Sequence, residues 1–347
     1  MQRKWYLYQH SAGGYEGSVQ IGKLSKKMRP TKRVLLTGST GFVGSRLHAV
    51  LGSTYSVVAA SRSPQIASDG SQTIGVGDLS SETGWAHVLQ GVDCVVHVAG
   101  RAHKLNDKRE DPLLEFRKVN VEASLNLAQQ AYEAGVKRFV FISSIGVHGA
   151  STTAGRSLDE LSPLIPHADY ALSKLEAEKG LKDISIKNGM ELVIVRPPLI
   201  YAGHAPGNFG ALLKLVSSGL PLPFWGVKNK RSMIALENLV DLVSLCVVHP
   251  AAANQTFLAS DGIDVSTPQI IRYLAKGMGY EARLFPVPDG VISSVARLLG
   301  RKTTYDQLYG SLVIDSSKVR SLLGWTPPIA PEEALFKAGR DYYSRAR

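Results

Sequence analysis

Short apolar runs alternate with longer amphipathic segments along most of the chain from Arg33 onward. The apolar runs are rich in Val and Ile and continuous, which is typical of strands that helices cover on both faces. They predict strands at 33–37, 56–61, 73–77, 93–98, 137–142 and 191–196. The amphipathic segments predict helices from the first turn to about 51 and near 82–90, 112–134 and 169–188. This alternation predicts an α/β fold, a doubly wound parallel sheet of the Rossmann type.

The pattern changes after Pro197-Pro198, where proline and glycine recur and predict loops and short elements. Thr267 is the expected cap of a later helix, with Pro268 as its first residue. Further helices are predicted at 268–277, 288–299, 316–323 and 331–344. We therefore expect three parts, which are a basic extension at 1–30, a Rossmann domain at 31–197 and 234–262, and a smaller C-terminal substrate-binding domain at 198–233 and 263–347.

Charge and composition narrow the class of partner. The chain has 347 residues, 44% of them hydrophobic, and 40 Lys and Arg against 29 Asp and Glu, for a net charge of +11. Nearly half of that excess lies in residues 1–30, which we expect to be disordered. Met28, just before the first strand, is a candidate start of the native chain. The remainder has no run of basic residues, so we do not expect a nucleic-acid partner.

The two cysteines, Cys94 and Cys246, lie in apolar stretches and do not suggest a disulfide framework. This usage favours a reducing cytoplasm. The longest apolar candidate, 234–248, is interrupted by Glu237 and Asp241, so we expect no stable membrane insertion.

A glycine-rich turn, Gly38-x-x-Gly41-x-x-Gly44, follows the first strand and opens the first helix. Residues without side chains allow a tight turn, a close approach of the backbone to a pyrophosphate, and close helix packing. The helix N-terminus adds N–H donors and partial positive charge. The same glycines also fit a plain strand-to-helix turn, but their position predicts a dinucleotide site.

The end of the second strand bears on which dinucleotide binds. NAD sites place an acid there for the ribose 2′-hydroxyl, whereas NADP sites lack it and often use an Arg for the 2′-phosphate. Here Arg62 lies between two serines and no acid is present, although Arg62 also fits a solvated loop residue. We expect NADP(H), with NAD(H) as the alternative, and an adenine contact from Asp78 and Leu79.

Tyr170 and Lys174 are four residues apart on a predicted helix and share one face. A neighbouring ammonium stabilises a phenolate and lowers its pKa from about 10, which makes a usable general acid and base. Ser144, at the end of the fifth strand, can bind the substrate oxygen that exchanges the proton. Such a Tyr–Lys pair also arises by chance, but its position one loop after Ser143-Ser144 favours a catalytic site.

Four motifs, TGSTGFVG, SSIGVHG, YALSK and RPPLIYAG, stand in one order along the chain. In order and spacing they resemble the extended short-chain dehydrogenase/reductases, the NAD-dependent epimerase/dehydratase family, over about residues 32–345. The resemblance implies catalytic roles for Ser144, Tyr170 and Lys174, and no metal. It implies cofactor contacts from Gly38, Thr40, Gly41, Phe42, Val43, Gly44, Arg62, Asp78, Leu79, Ala99, Gly100, Tyr170, Lys174 and Pro197.

Three further segments, at 207–209, 230–232 and 315–325, resemble family members that act on UDP-sugars. By that likeness Asn208 and Arg231 hold the nucleotide-sugar, with Arg231 at the diphosphate. The other interpretation of Arg231 is a surface charge in a basic loop. The family likeness also implies a homodimer built from the helices near 112–134 and 169–188.

Two departures from the family pattern are informative. Family 4,6-dehydratases carry an acidic pair after the catalytic Ser or Thr, whereas this chain has Ile145-Gly146, so we do not expect dehydratase activity. The usual Val-Tyr-Gly is Val147-His148-Gly149 here. His148 either contacts substrate or cofactor, or packs at the strand end.

Three functions follow from the resemblance. The first is NADPH-dependent reduction of the C4 ketone of a UDP-4-keto-6-deoxy-N-acetylhexosamine, giving UDP-N-acetylquinovosamine for bacterial O-antigen; the absent acid and Arg62 favour it. The second is a UDP-glucose or UDP-GlcNAc 4-epimerase, which must retain its cofactor. The third, a non-catalytic nucleotide-binding scaffold, is disfavoured by the intact Ser144, Tyr170 and Lys174.

Overall fold

The computed structural model describes residues 32–66, 72–102, 111–298, 300 and 302–346. The expected basic extension at 1–30 and the candidate start at Met28 lie outside these residues.

A central sheet organises the described residues. Their strands are β1 (Arg33–Thr37), β2 (Ser56–Ser61), β3 (Gln65–Ile66), β4 (Gln72–Gly75), β5 (Cys94–His97), β6 (Arg138–Ile142), β7 (Glu191–Arg196), β8 (Ile200–Tyr201), β9 (Ile234–Ala235) and β10 (Gln255–Leu258). Eight form one sheet in the order β10-β7-β6-β5-β1-β2-β4-β3, parallel except for the β3–β4 pair. Because strand order reverses between β1 and β5, a crevice opens at their carboxyl ends, where such folds bind ligands.

The helices lie on both faces of this sheet and beyond its carboxyl edge. They are α1 (Phe42–Gly52), α2 (Ala86–Leu89), α3 (Pro112–Phe116), α4 (Ala123–Glu133), α5 (Asp169–Asn188), α6 (Gly207–Ser217), α7 (Leu236–Val248), α8 (Thr267–Gly277), α9 (Asp289–Leu298), α10 (Lys302–Tyr309), α11 (Ser317–Leu323) and α12 (Pro331–Ala346). The expected doubly wound α/β fold is confirmed. Within the described ranges, no helix is both long and apolar enough to cross a bilayer.

Burial explains why the strands are continuous apolar runs. In β1, Val34 and Leu36 pack against α1 and α7 on one face, whereas Leu35 packs against α4 and α5 on the other. Alternate residues of each strand therefore enter different cores, and both sets must be apolar. A third cluster joins α6, α8 and α12 around Phe209, Leu213 and Leu274.

Three local predictions need correction. The single helix expected at 112–134 is interrupted by a π-helical segment, Arg117–Glu122, between α3 and α4. The cap of α8 is Ser266 rather than Thr267, since the Ser266 hydroxyl accepts a bond from the Gln269 N–H and the Gln269 side chain accepts one from the Ser266 N–H. The 82–90 helix is reduced to the four residues of α2.

Candidate functional site

The glycine-rich turn packs so closely against neighbouring backbone atoms that it leaves no room for a side chain at Gly38 or Gly44. Gly38 has φ +70°, and a Cβ there would lie 2.8 Å from the Ala99 backbone. A Cβ on Gly44 would lie 1.9 Å from the Gly38 carbonyl oxygen. Gly41 is the N-cap of α1 and provides no side-chain cap, which leaves the N–H groups of the first turn to an anion. This geometry fits a dinucleotide pyrophosphate, with Thr40 exposed beside it.

The expected ligands of the adenosine end lie together at the surface. Arg62 Nε is 2.8 Å from Asp78 Oδ1, and both side chains are at least 80% exposed. The Ser61 hydroxyl, in contrast, is buried and bonded to the Ser63 carbonyl and the Thr73 hydroxyl, at 2.6 Å each. Of the two serine hydroxyls that flank Arg62, that of Ser61 is therefore already engaged within the protein.

Arg62 and Asp78 allow a direct test of cofactor preference. We expect Arg62→Ala to weaken NADPH binding by roughly tenfold and NADH binding by less than about twofold, because only NADPH carries the 2′-phosphate. Asp78→Asn removes the competing carboxylate and is expected to raise the NADPH-to-NADH affinity ratio. Fluorescence titration measures both affinities; unchanged NADPH binding in Arg62→Ala would mean that Arg62 is a solvated surface residue, and an equal loss of both cofactors would exclude a contact specific to the 2′-phosphate.

Tyr170 and Lys174 lie one turn apart near the start of α5. Lys174 Nζ donates to the Ile142 carbonyl at 2.9 Å and lies 4.6 Å from the centre of the Phe141 ring. A Cβ on Gly100 would lie 3.4 Å from Lys174 Nζ. Because Gly100 follows Ala99, which contacts Gly38, the lysine adjoins the glycine-rich turn, and one site holds both predicted groups.

Burial sets the protonation of this pair. It lowers the pKa of Lys174 to about 8, against the opposing negative charge of Glu178. Burial also raises the pKa of Tyr170 to about 12. The expected lowering of the Tyr170 pKa by Lys174 is therefore not seen, since desolvation of the phenol dominates. Burial therefore favours the protonated phenol, and the phenolate that a general base requires depends on the Lys174 ammonium for its stabilisation.

Ser144 lies two residues beyond Ile142, the last residue of β6, whose carbonyl accepts the Lys174 bond. Its Oγ accepts a bond from the Gly146 N–H at 3.1 Å and caps a short 3-10 turn, Ile145–Val147. The bond uses an oxygen lone pair, and the O–H hydrogen can be donated to a substrate oxygen. Ile145 and Gly146 are buried at the place where a dehydratase would need acids.

A buried chain of hydrogen bonds, which sequence reasoning missed, supports the end of β5. Ser124 Oγ donates to the Asn120 carbonyl, so it accepts from His97 Nε2, at 2.8 Å in both cases. His97 Nδ1 then accepts from the Thr37 hydroxyl at 2.7 Å, and Thr37 Oγ1 accepts from the Ala99 N–H. Burial lowers the pKa of His97 to about 3, so the ring is neutral.

Asn120, in the π-helical segment, continues this support toward α5. Its Oδ1 accepts from the Arg101 N–H at 2.8 Å, and its Nδ2 donates to the Arg101 carbonyl and to Ser173 Oγ. It is 1% exposed. A polar residue on the buried face of a predicted helix was the only signal available in the sequence. Such π-helical segments occur often at functional sites.

Comparison with known proteins places this site in a family. The family model described as "NAD dependent epimerase/dehydratase family" matches residues 34–258. A UDP-glucose 4-epimerase of Vibrio cholerae is 43% identical over 307 residues, which cover 88% of this chain and 93% of that protein. The chain belongs to the NAD-dependent epimerase/dehydratase family. The resemblance predicted from the motifs is thereby confirmed, and the protein is a nucleotide-sugar enzyme of this family.

Two further proteins are similar to this chain. An Escherichia coli O157:H7 protein, N-acetyl-alpha-D-glucosaminyl-diphospho-ditrans,octacis-undecaprenol 4-epimerase, is 26% identical and covers 87% of this chain and 92% of its own length. A short-chain dehydrogenase/reductase of Agrobacterium tumefaciens, solved with bound NAD, is 20% identical with a TM-score of 0.72, over 90% of this chain and 98% of that one. The second likeness confirms the family fold.

The residues expected to hold substrate lie against a different segment. Asn208, in the first turn of α6, donates to Gln307 Oε1 at 2.8 Å, and Arg231 Nη1 donates to the Gly310 carbonyl at 3.3 Å. Burial lowers the pKa of Arg231. Both side chains are therefore hydrogen-bonded to residues in α10 or directly after it. Among the described residues, neither is hydrogen-bonded to the Ser144, Tyr170 and Lys174 group.

His148 has both ring nitrogens engaged. Nε2 accepts from Arg196 Nη1 at 2.8 Å, and Nδ1 donates to the Pro163 carbonyl at 3.2 Å. The side chain is buried, and desolvation together with the Arg196 charge lowers the pKa of the imidazole. These contacts support the packing interpretation of His148 over a substrate contact. No group of three or more metal-ligating side chains occurs in the part of the chain that the structure describes.

Proposed function

We propose that the protein is a 4-epimerase of UDP-hexoses. The observation that carries the proposal is the group of Ser144, Tyr170 and Lys174 beside a glycine-rich turn that fits a dinucleotide. The relatives support chemistry at C4, because the Vibrio cholerae protein and the Escherichia coli protein are both named as 4-epimerases. This evidence favours epimerisation over the reduction that the sequence alone favoured.

The catalytic residues act on the oxygen at sugar C4. When bound, the nicotinamide supplies the hydride acceptor and donor at that carbon. In its phenolate form Tyr170 takes the hydroxyl proton as C4 is oxidised, and it returns this proton when the ketone is reduced on its other face. Ser144 donates a hydrogen bond to the same oxygen, and Lys174 stabilises the phenolate while it lasts.

We further propose that residues 198–233 and 263–346 hold the nucleotide-sugar. Arg231 suits a diphosphate, since a guanidinium offers two parallel N–H donors to phosphate oxygens. Asn208 suits a polar group of the nucleotide. Binding of these groups would replace the Gln307 and Gly310 contacts that the two side chains make now.

The 4-ketoreductase remains a second candidate because of one observation. The end of β2 has no acid, and Arg62 is 80% exposed beside the expected adenosine site. A reductase must exchange NADPH at each turnover, whereas an epimerase keeps its cofactor. Exchange is the property that separates the two functions.

The substrates distinguish these proposals in parallel incubations. UDP-glucose and UDP-GlcNAc are supplied without reductant, and a UDP-4-keto-6-deoxy-N-acetylhexosamine is supplied with NADPH. We expect a C4 epimer in the first set, detected by NMR, and little NADPH oxidation in the second. Stoichiometric NADPH oxidation without epimer formation would establish the reductase. Binding of UDP-sugar without any conversion would indicate the scaffold.

A further inference from the structure

We propose that Glu178 and Arg196 are positioning residues, a buried ion pair that sets the geometry and charge of the Ser144, Tyr170 and Lys174 group. The side chains of Arg196 and Glu178 are 2% and 1% exposed. This inference rests on the proposed function, because that function names the reaction of the group. The contacts described below do not depend on it.

The pair is bidentate and fully shielded. Arg196 Nε donates to Glu178 Oε1 at 2.9 Å, and Arg196 Nη2 donates to Glu178 Oε2 at 2.5 Å. Ser143 Oγ donates to Glu178 Oε1 at 2.5 Å. A buried ion pair with such geometry seldom adds stability over apolar residues, which makes a role beyond stability worth seeking.

Each member of the cluster is adjacent to a residue of the site. Glu178 is one helical turn beyond Lys174 on α5, Ser143 precedes Ser144, and Arg196 precedes Pro197 at the end of β7. Backbone bonds join the same elements, from the Ser143 N–H to the Val195 carbonyl and from the Ile145 N–H to the Pro197 carbonyl.

His148 completes the cluster from the turn after Ser144. Its Nε2 accepts a hydrogen bond from Arg196 Nη1, and its Nδ1 donates one to the Pro163 carbonyl. The ion pair thereby joins α5, the end of β6, the end of β7 and the following turn. These four elements carry the catalytic serine, tyrosine and lysine and the proposed cofactor contact Pro197.

The cluster also acts on the charge of Lys174. The ionisable groups that face this lysine are Tyr170 and Glu178 on its own helix and the neutral His97 on β5, with Arg196 behind Glu178. The Glu178 carboxylate raises the pKa of Lys174 against the effect of burial. Without that negative charge, Lys174 loses its proton at lower pH and the Tyr170 phenolate loses its stabilising ammonium.

Glu178→Gln tests this directly, with Glu176→Gln as the matched control. Glu176 is on the same helix, but it pairs with the half-exposed Arg117 at 2.6 Å. We follow the Lys174 side chain by NMR of 13C-lysine-labelled protein, with its signal assigned by Lys174→Met, so no substrate is needed. In Glu178→Gln the Lys174 titration midpoint is expected to move to lower pH, and in Glu176→Gln to stay.

Loss of the Glu178 charge is also expected to change the kinetics of epimerisation. With UDP-glucose, Glu178→Gln is expected to lower kcat at pH 8 roughly tenfold with KM within about twofold, and to move the alkaline limb of the kcat profile to lower pH. Ser143→Ala keeps the charge, so it is expected to lower kcat without moving that limb.

A second variant covers the case in which Glu178→Gln does not fold. Glu178→Met/Arg196→Met removes both charges, and such replacement commonly preserves folding. It is expected to lower the Lys174 midpoint by less than Glu178→Gln does, because loss of the Arg196 positive charge offsets part of the loss of the nearer Glu178 carboxylate. An unchanged midpoint in whichever folded variant is measured would overturn the proposal. A lowered midpoint in a protein that does not convert UDP-hexoses would instead overturn the proposed function alone.

Discussion

Tyr170→Phe is expected to lower kcat about a thousandfold, with the fold and the binding of substrate and cofactor retained. The change removes only the hydroxyl that we propose exchanges the C4 proton, and a positioned general acid or base contributes roughly 10²- to 10⁴-fold. The ring, which packs edge-on against Phe116 at 6.1 Å, stays in place. Steady-state rates of C4 epimer formation measure the loss.

Tyr132→Phe is the matched control for that variant. Tyr132 lies on α4 with 39% of its surface exposed, so loss of its hydroxyl is expected to leave kcat unchanged. If Tyr170→Phe retained more than about a tenth of the wild-type kcat, another group would have to move the proton, and the assignment of Tyr170 would fail.

Gly44→Ala is expected to destabilise the protein by about 3 kcal/mol and to abolish dinucleotide binding. The added Cβ would lie 1.9 Å from the Gly38 carbonyl oxygen, so the start of α1 must move away from the turn. That movement displaces the N–H groups that face the pyrophosphate. Urea unfolding and NAD(P)H fluorescence measure the two losses.

Gly52→Ala, at the other end of α1, is the control. A Cβ there meets no atom within 4 Å, and alanine favours a helix over glycine by up to about 1 kcal/mol. We expect it to be neutral or slightly stabilising and to bind the dinucleotide normally. Equal behaviour of the two variants would contradict the close packing of the turn.

Most strands of the central sheet could be predicted because each is marked by the apolar residues within the strand itself. The bounds predicted for β1, β2 and β7 agree with the structure, since each is an uninterrupted apolar run that both cores require. The strand β10 was missed, because this edge strand begins with the polar, half-buried Gln255 and Thr256 and lacks such a run.

The placement of Tyr170 and Lys174 on one helix face was predictable from their spacing, but the buried contacts around them were not. The separation of four positions from Tyr170 to Lys174 defines a helix face without any knowledge of the fold. The bond from Arg196 to Glu178 joins residues 18 apart, and that from His97 to Ser124 joins residues 27 apart. Only the packed structure brings such pairs together, and the same burial reverses the expected direction of the Tyr170 pKa.

The proposed function requires that this site oxidise and reduce sugar C4 through Tyr170 and a retained cofactor. UDP-glucose deuterated at C4 tests it in one incubation with purified protein and no added cofactor. We expect UDP-galactose that keeps deuterium at C4, formed about a thousandfold more slowly by Tyr170→Phe. Loss of the deuterium to solvent, or the absence of a C4 epimer from folded, cofactor-loaded protein, would contradict it.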